Sequence, residues 1–327
     1  MSKIILSGVK PTGRPHIGNY FGAMKQFVDL QNSEPEAIKY FFVADYHALN
    51  LIQNAEEMRQ HSRDIVLDFL AIGLDPNKSI IFKQSDILEH TELCWIFDAI
   101  TTVPYLKRAH AYKDAVAKGG EEIINVGTFN YPMLMAADIL LYDTDLVPVG
   151  KDQKQHVEFA RDTAEKFNRV FDSETFKLPE PYILPNVEIV PGTDGQKMSK
   201  SYKNTIPLFA DDEEIEKIVM GIVTDSTGEK PQNVYNIHKI ILSANNASDV
   251  VQDKLQKIYE ENKGKYKNLK EILIEDLKNF IRPLREKRAE LAKDEELVNN
   301  ILKVGREKAG PVATEKMKQI KKAIGVI

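Results

Sequence analysis

Along the first 200 residues, short apolar runs alternate with longer stretches in which apolar residues recur at helical spacing. Ile4-Ile5-Leu6, ending at Ser7-Gly8, reads as a buried strand, and residues 40–44, 79–82 and 145–149 read the same way. Between them the spacing predicts helices over residues 18–30, 55–71, 86–100 and 152–167. Tyr20, Phe21, Met24, Phe27, Val28 and Leu30 form the apolar stripe of the first. Gly73 and Pro76 stop the second, and Asp86 is placed to cap the third. Strands alternating with long helices imply right-handed βαβ units and a parallel sheet. Such sheets place ligands outside the carboxyl ends of their strands.

Gly119-Gly120 marks a loop, and residues 179–195 hold four prolines and two glycines, too many for one regular element. Beyond about Asn204 the strand signals thin out. Residues 211–222, 247–261, 269–292 and 294–324 read as helices, with Pro283 and Pro311 interrupting or resetting the last two. The expectation is an α/β protein: a Rossmann-like parallel-sheet catalytic domain over residues 1–203, followed by a smaller all-helical domain over residues 204–327.

A chain of 327 residues can bury a sizeable core without staples. A single cysteine, Cys94, excludes an internal disulfide and a Cys-based zinc cage, and reads as a small buried apolar residue. The seven histidines show no HExxH spacing, so no dedicated metal site is expected. No apolar run approaches the ~18 residues of a membrane span, and residues 1–8 lack the apolar core of a signal peptide. A cytoplasmic protein is expected. The net charge of −5 is unevenly placed: residues 254–327 carry a balance of +7 and the rest −12. A basic end can attract phosphate backbones, although solvated helix faces produce the same count.

Three segments carry candidate chemistry. The loop over residues 8–19 follows a strand and opens a helix, where phosphate binds readily. Gly8 and Gly13 have P-loop spacing, but Arg14 replaces the lysine and Pro15 the magnesium-binding hydroxyl. With no GxGxxG there either, His16 and Asn19 remain as donors to phosphate oxygens. The pentapeptide Lys197-Met198-Ser199-Lys200-Ser201 forms a cationic loop behind a glycine-rich approach, suited to charge developing on leaving phosphates. The third segment is Tyr131-Pro132-Met133-Leu134-Met135-Ala136-Ala137-Asp138. Pro132 fits a first helical turn, and offsets of four and seven put Tyr131, Met135 and Asp138 on one face. A carboxylate in such apolar surroundings needs partners. Asp138 is either a core carboxylate held by a backbone group or an arginine, or an acceptor for a donor-only ligand group such as an indole N–H.

Residues 11–20 resemble the ATP-binding signature of the class I aminoacyl-tRNA synthetases, and residues 197–201 match their second signature in full. Asn19, where many members carry a second histidine, is a form used in the tryptophanyl and tyrosyl branch. Tyrosyl enzymes are similar over residues 131–138 but carry glutamine where Met135 stands. Methionine cannot hold a phenol hydroxyl, yet packs well on an aromatic ring. Residues 131–142, followed by Val147-Pro148-Val149-Gly150-Lys151-Asp152-Gln153, resemble the tryptophanyl enzymes.

That resemblance implies ATP-dependent activation of L-tryptophan and its transfer to tRNA(Trp), with Mg²⁺ and a homodimer. It implies catalytic roles for His16, Asn19, Lys197 and Lys200. It implies ATP contacts from Lys10, Pro11, Thr12, Gly18, Asn19, Gly150, Lys151, Asp152, Ile189 and the pentapeptide Lys197, Met198, Ser199, Lys200 and Ser201. Leu6, His47, Tyr131, Met135, Asp138, Val147, Val149 and Gln153 would hold tryptophan, and the region after Asn204 the anticodon. A tyrosyl enzyme, another adenylyl-transferring enzyme and a non-catalytic synthetase-derived binding protein are the alternatives.

Overall fold

A computed structural model describes residues 2–150, 153–182, 190–224, 231–244 and 248–327. Among the described residues, β1 (Ile4–Val9), β2 (Ile38–Val43), β3 (Ile80–Lys83), β4 (Leu146–Pro148) and β5 (Glu180–Tyr182) form one parallel sheet in the order β3-β2-β1-β4-β5. This is the doubly wound order. The central strands are apolar on both faces because both are covered: Ile5, Leu6 and Tyr40 through Val43 are all buried. Gly8 pairs with Phe42 across the β1–β2 ladder, and a Cβ there would strike the Phe42 ring. β5 falls within the stretch expected to be irregular. It is a three-residue edge strand, the place where a proline lacking its N–H is tolerated.

Several helices differ from the expected outline. The run from Ile17 contains a π-turn at Tyr20–Met24 before the helix Lys25–Ser33. Asp86 is not a helix cap. It lies in the turn Gln84–Asp86, 3.2 Å from Lys83 Nζ, and the following helix is Glu89–Ile100. Pro132 is interior to the helix Val126–Leu140, which Asn125 caps, so that helix starts a turn and a half before the expected point. Pro283 and Pro311 sit within the helices Tyr266–Leu291 and Leu297–Ala323 and do not interrupt them. Buried neighbours explain this: Leu277 and Ile281 precede one proline, Ala309 and Ala313 flank the other. Burial of the apolar face outweighs one missing hydrogen bond. The helix Gln232–Ser243 lies outside the expected outline, although Val234, Ile237 and Ile241 bury one face at helical spacing.

The chain divides into two compact units, and not at residue 203. The first contains residues 1–13, 27–185 and 294–327; the second contains 14–26 and 186–293. The last helix joins the first unit because it covers the otherwise open edge at β3. Gly305 brings the helix so close that a Cβ would collide with the Ile81 carbonyl. Ala309, Ala313, Met317 and Ile320 share the core of Phe82 and Phe97. Lys316, nearly buried, donates to Asp143 and to the Thr175 carbonyl and lies over the Phe176 ring. Residues 14–26 belong to the second unit for equally local reasons. Ile17 N–H donates to the Ile206 carbonyl at 3.0 Å, Leu208 N–H donates to the Pro15 carbonyl at 2.9 Å, and Phe21 stacks on Phe280.

Candidate active site

In the first unit, the predicted amino-acid residues come from two strands, from the segments that follow strands and from the Val126–Leu140 helix. Leu6 of β1 and Val147 of β4 are buried in one core cluster with Val149, Ala136 and Ala137. β2 runs into the short helix Asp45–Ala48, which carries His47. Asp45 accepts from Ser85 N–H at 3.0 Å and so ties this helix to the turn after β3. The face predicted on the Val126–Leu140 helix is present. Tyr131 and Met135 are half-buried, with Tyr131 Oη 3.8 Å from Met135 Sδ, and Asp138 is buried. The Tyr131 ring lies 4.5 Å from His47 and 4.9 Å from His156. Lys10, just past β1, sits over the same ring at 4.5 Å, and burial lowers its pKa. Gln153 is half-buried, its N–H donating to the Gly150 carbonyl at 2.9 Å. Thr12 N–H turns back to the Lys10 carbonyl at 2.9 Å, with Pro11 between them buried.

Asp138 is held by three donors. His90 Nδ1 lies 2.6 Å and Gln84 Nε2 2.7 Å from Oδ1, and His47 Nε2 lies 2.8 Å from Oδ2. Burial alone would raise this carboxyl, but the hydrogen bonds from His47 and His90 lead the opposing contributions and hold Asp138 below the usual carboxylate value. The reading of Asp138 as a core carboxylate named a backbone group or an arginine; the protein partners are instead two histidines and a glutamine. Gln84 and His90 were missed because they lie 54 and 48 residues away and no local pattern marks them.

In the second unit the two signatures pack together. His16 caps the helical run: its Nδ1 accepts Asn19 N–H at 3.3 Å, while Asn19 Oδ1 accepts His16 N–H at 3.0 Å. Gly18 is required beneath, since a Cβ there would press on the His16 ring and meet Met198. Burial, and then the charge of Lys200, lower His16 to about 4. The ring is therefore neutral near pH 7. With Nδ1 accepting, Nε2 bears the proton and can donate. Lys197 and Lys200 are exposed and Met198 is buried. The Ser199 and Ser201 hydroxyls lie 2.9 Å apart.

Asn204, a residue the sequence did not single out, shapes this loop. Its Oδ1 accepts Ser199 N–H at 2.8 Å, and its Nδ2 donates to Asp194 at 2.7 Å and to the Lys197 carbonyl at 3.1 Å. Gly195 adopts φ 82° at the turn. Lys151, Asp152 and Ile189 lie outside the described residues.

The family described as tRNA synthetases class I (W and Y) matches residues 2–300. The tryptophan–tRNA ligase of Fusobacterium nucleatum is 50% identical over 324 residues, covering 98% of each chain. The chain belongs to the class I tryptophanyl-tRNA synthetases. Two solved structures agree. The Campylobacter jejuni tryptophanyl-tRNA synthetase complexed with ADP and tryptophan superposes with a TM-score of 0.87 at 43% identity, covering 98% of this chain and 99% of that one. The Mycoplasma pneumoniae tryptophanyl-tRNA synthetase superposes with a TM-score of 0.86 at 30% identity, covering 99% and 98%. The synthetase is thus a tryptophan–tRNA ligase: it activates L-tryptophan with ATP and transfers it to tRNA(Trp), releasing AMP and diphosphate. Met135, the residue that separated tryptophan from tyrosine in the sequence, stands on the face expected of it.

Proposed function

We propose a division of labour in which the first unit selects tryptophan and the second supplies the phosphate-handling groups. Leu6, His47, Met135, Val147 and Val149 would enclose the indole ring, Asp138 would accept its N–H, and Tyr131 with Gln153 would hold the amino group. The neutral His16, Asn19, Lys197 and Lys200 would stabilise the negative charge that builds up as the tryptophan carboxylate attacks the α-phosphate and diphosphate leaves. Lys10, Pro11, Thr12, Gly18, Gly150, Lys151, Asp152, Ile189, Met198, Ser199 and Ser201 would complete the ATP contacts. No side-chain nucleophile is needed; catalysis is positioning and charge stabilisation. Mg²⁺ belongs to ATP in this reading, bound through the phosphate oxygens that this hard cation prefers. Among the described residues no group of three or more His, Cys, Asp or Glu side chains could hold a metal ion.

The observation that carries the reading is the packing of the two signatures, with His16 kept neutral by burial and by Lys200 of the second. The test is single-turnover formation of tryptophanyl-adenylate by Lys197→Ala and Lys200→Ala, with thermal stability in parallel. Both variants should fold normally, bind tryptophan normally and form adenylate at a rate reduced by at least about tenfold. Parent rates in both would remove the catalytic role.

The helical region after Asn204 takes the anticodon of tRNA(Trp), which its +7 balance over residues 254–327 favours. A homodimer accounts for the apolar side chains left exposed on the first unit, among them Leu51, Leu88, Trp95, Ile123 and Val126. Among the described residues no helix is long and apolar enough to cross a membrane, and a cytoplasmic location suits an enzyme that charges tRNA.

A further inference from the structure

Behind Asp138 lies a second layer of buried polar groups that the tryptophan assignment does not use. His90 and Gln84 are fully buried and Tyr142 is 1% exposed. His90 bridges Asp138 and Tyr142: Nδ1 is 2.6 Å from Asp138 Oδ1, and Nε2 is 2.9 Å from the Tyr142 hydroxyl. An ionised carboxylate only accepts, so His90 Nδ1 must carry a hydrogen. Nε2 pairs with the Tyr142 hydroxyl. The rings of Phe42 and Phe82 lie 6.1 Å from His90, and Tyr40 lies 4.8 Å from Tyr142. The imidazole is packed on several sides and held at both nitrogens.

A carboxylate oxygen accepts about two hydrogen bonds. Oδ1 of Asp138 already has two, from Gln84 and His90, whereas Oδ2 has one among the described residues, from His47. The remaining acceptor position of the group is thus on Oδ2. Its direction depends on the rotation of the carboxylate plane, which the two donors on Oδ1 fix.

We propose that His90 is a positioning residue for tryptophan: its Nδ1–H locks the Asp138 carboxylate so that Oδ2 is presented to the indole N–H. The proposal rests on the assignment of Asp138 to the indole. Leucine or alanine at position 90 would test only whether a cavity is tolerated, so the informative variants are the two amide isosteres. His90→Asn places an N–H near Nδ1 and abandons Tyr142. His90→Gln places its amide near Nε2 and abandons Asp138. Both shorten the buried network by one bond, and a merely structural histidine predicts similar effects from both.

Tryptophan-dependent pyrophosphate exchange gives KM for tryptophan and for ATP separately. His90→Gln should raise KM for tryptophan about ten- to hundredfold, the worth of a hydrogen bond to a charged group, with KM for ATP within about twofold. His90→Asn should keep both within about threefold of the parent. Tyr142→Phe, the mildest change, should raise only the tryptophan KM, by a few-fold, and covers the case in which a His90 variant fails to fold. Equal tryptophan effects in the two amide variants, or parallel losses for both substrates, would overturn the positioning role. Asp138→Asn is measured alongside. If it weakens tryptophan and His90→Gln does not, only the role of His90 fails. If it leaves tryptophan untouched, the indole assignment fails and takes the role of His90 with it.

Discussion

Replacing Gly305 by alanine sets two well-understood effects against each other. In a solvated helix, alanine is more favourable than glycine by about 1 kcal/mol, so Gly305→Ala would stabilise the protein. The structure predicts the opposite. The Cβ would fall inside contact distance of the Ile81 carbonyl oxygen and carbon and 3.2 Å from Phe82 Cβ. Those obstacles are mainly strand backbone, which cannot rotate away as a side chain can. Overpacking a tight contact costs about 1–3 kcal/mol, and a backbone collision belongs at the upper end of that range. After subtraction of the propensity gain, a net loss of about 1–2 kcal/mol is expected. Urea unfolding followed by circular dichroism would measure it as a lower midpoint at unchanged slope. A midpoint equal to or above the parent's would show that the Leu297–Ala323 helix does not dock on β3 through Gly305.

Lys316→Met keeps the apolar stem over Phe176 but deletes the donor to Asp143 and to the Thr175 carbonyl; stability should fall by about 1–3 kcal/mol, read by the same unfolding experiment. His16 should titrate near pH 4 when followed by NMR of its ring protons. Its folded pKa lies below the unfolded value, so the unfolded chain binds the extra proton between those values and this residue's effect is to make stability rise with pH from about 4 to about 6.5. A midpoint near 6.5 would contradict the burial and the Lys200 contribution. Met135→Gln sets an amide where the sulfur now meets Tyr131; it should raise KM for tryptophan about tenfold and leave ATP unchanged in pyrophosphate exchange.

The sheet was legible because β1 and β2 are apolar on both faces, a signature of parallel strands buried between helices. β5 was not, since Pro181 argues against a strand unless its edge position is known. The signatures at His16 and Lys197 were legible as residue types, but Asn204, which organises the second, is an asparagine among many. Asp138 could be recognised as a carboxylate in need of partners. Their identity depended on which distant elements the fold brings together. The last helix was legible as a helix, but Gly305 within it reads as a weak position until the β3 backbone is seen against it. The cut expected at residue 203 followed the loss of strand signals, which says nothing about where a later helix docks.

The polar network around Asp138 draws on the same topology. β1 leads to Lys10, β2 to Asp45 and His47, β3 to Gln84, and β4 to Val149 and Gly150. Each of these four strands thus leads a side chain or backbone group to the edge where an open parallel sheet binds its ligands. Asp138 and His90 come from helices packed on that sheet, and their hydrogen bonds tie the helices to the strand ends. The costly burial of a carboxylate is offset by three donors that also fix the spacing of β2 and β3 at the pocket. Gly305 approaches Ile81 of β3, three residues before Gln84 in the turn that follows that strand. Close docking of the last helix therefore sets the position of the strand that delivers one of the Asp138 donors. A shift of β3 in Gly305→Ala should weaken tryptophan binding as well as stability, whereas the loss of a peripheral helix contact would lower stability alone.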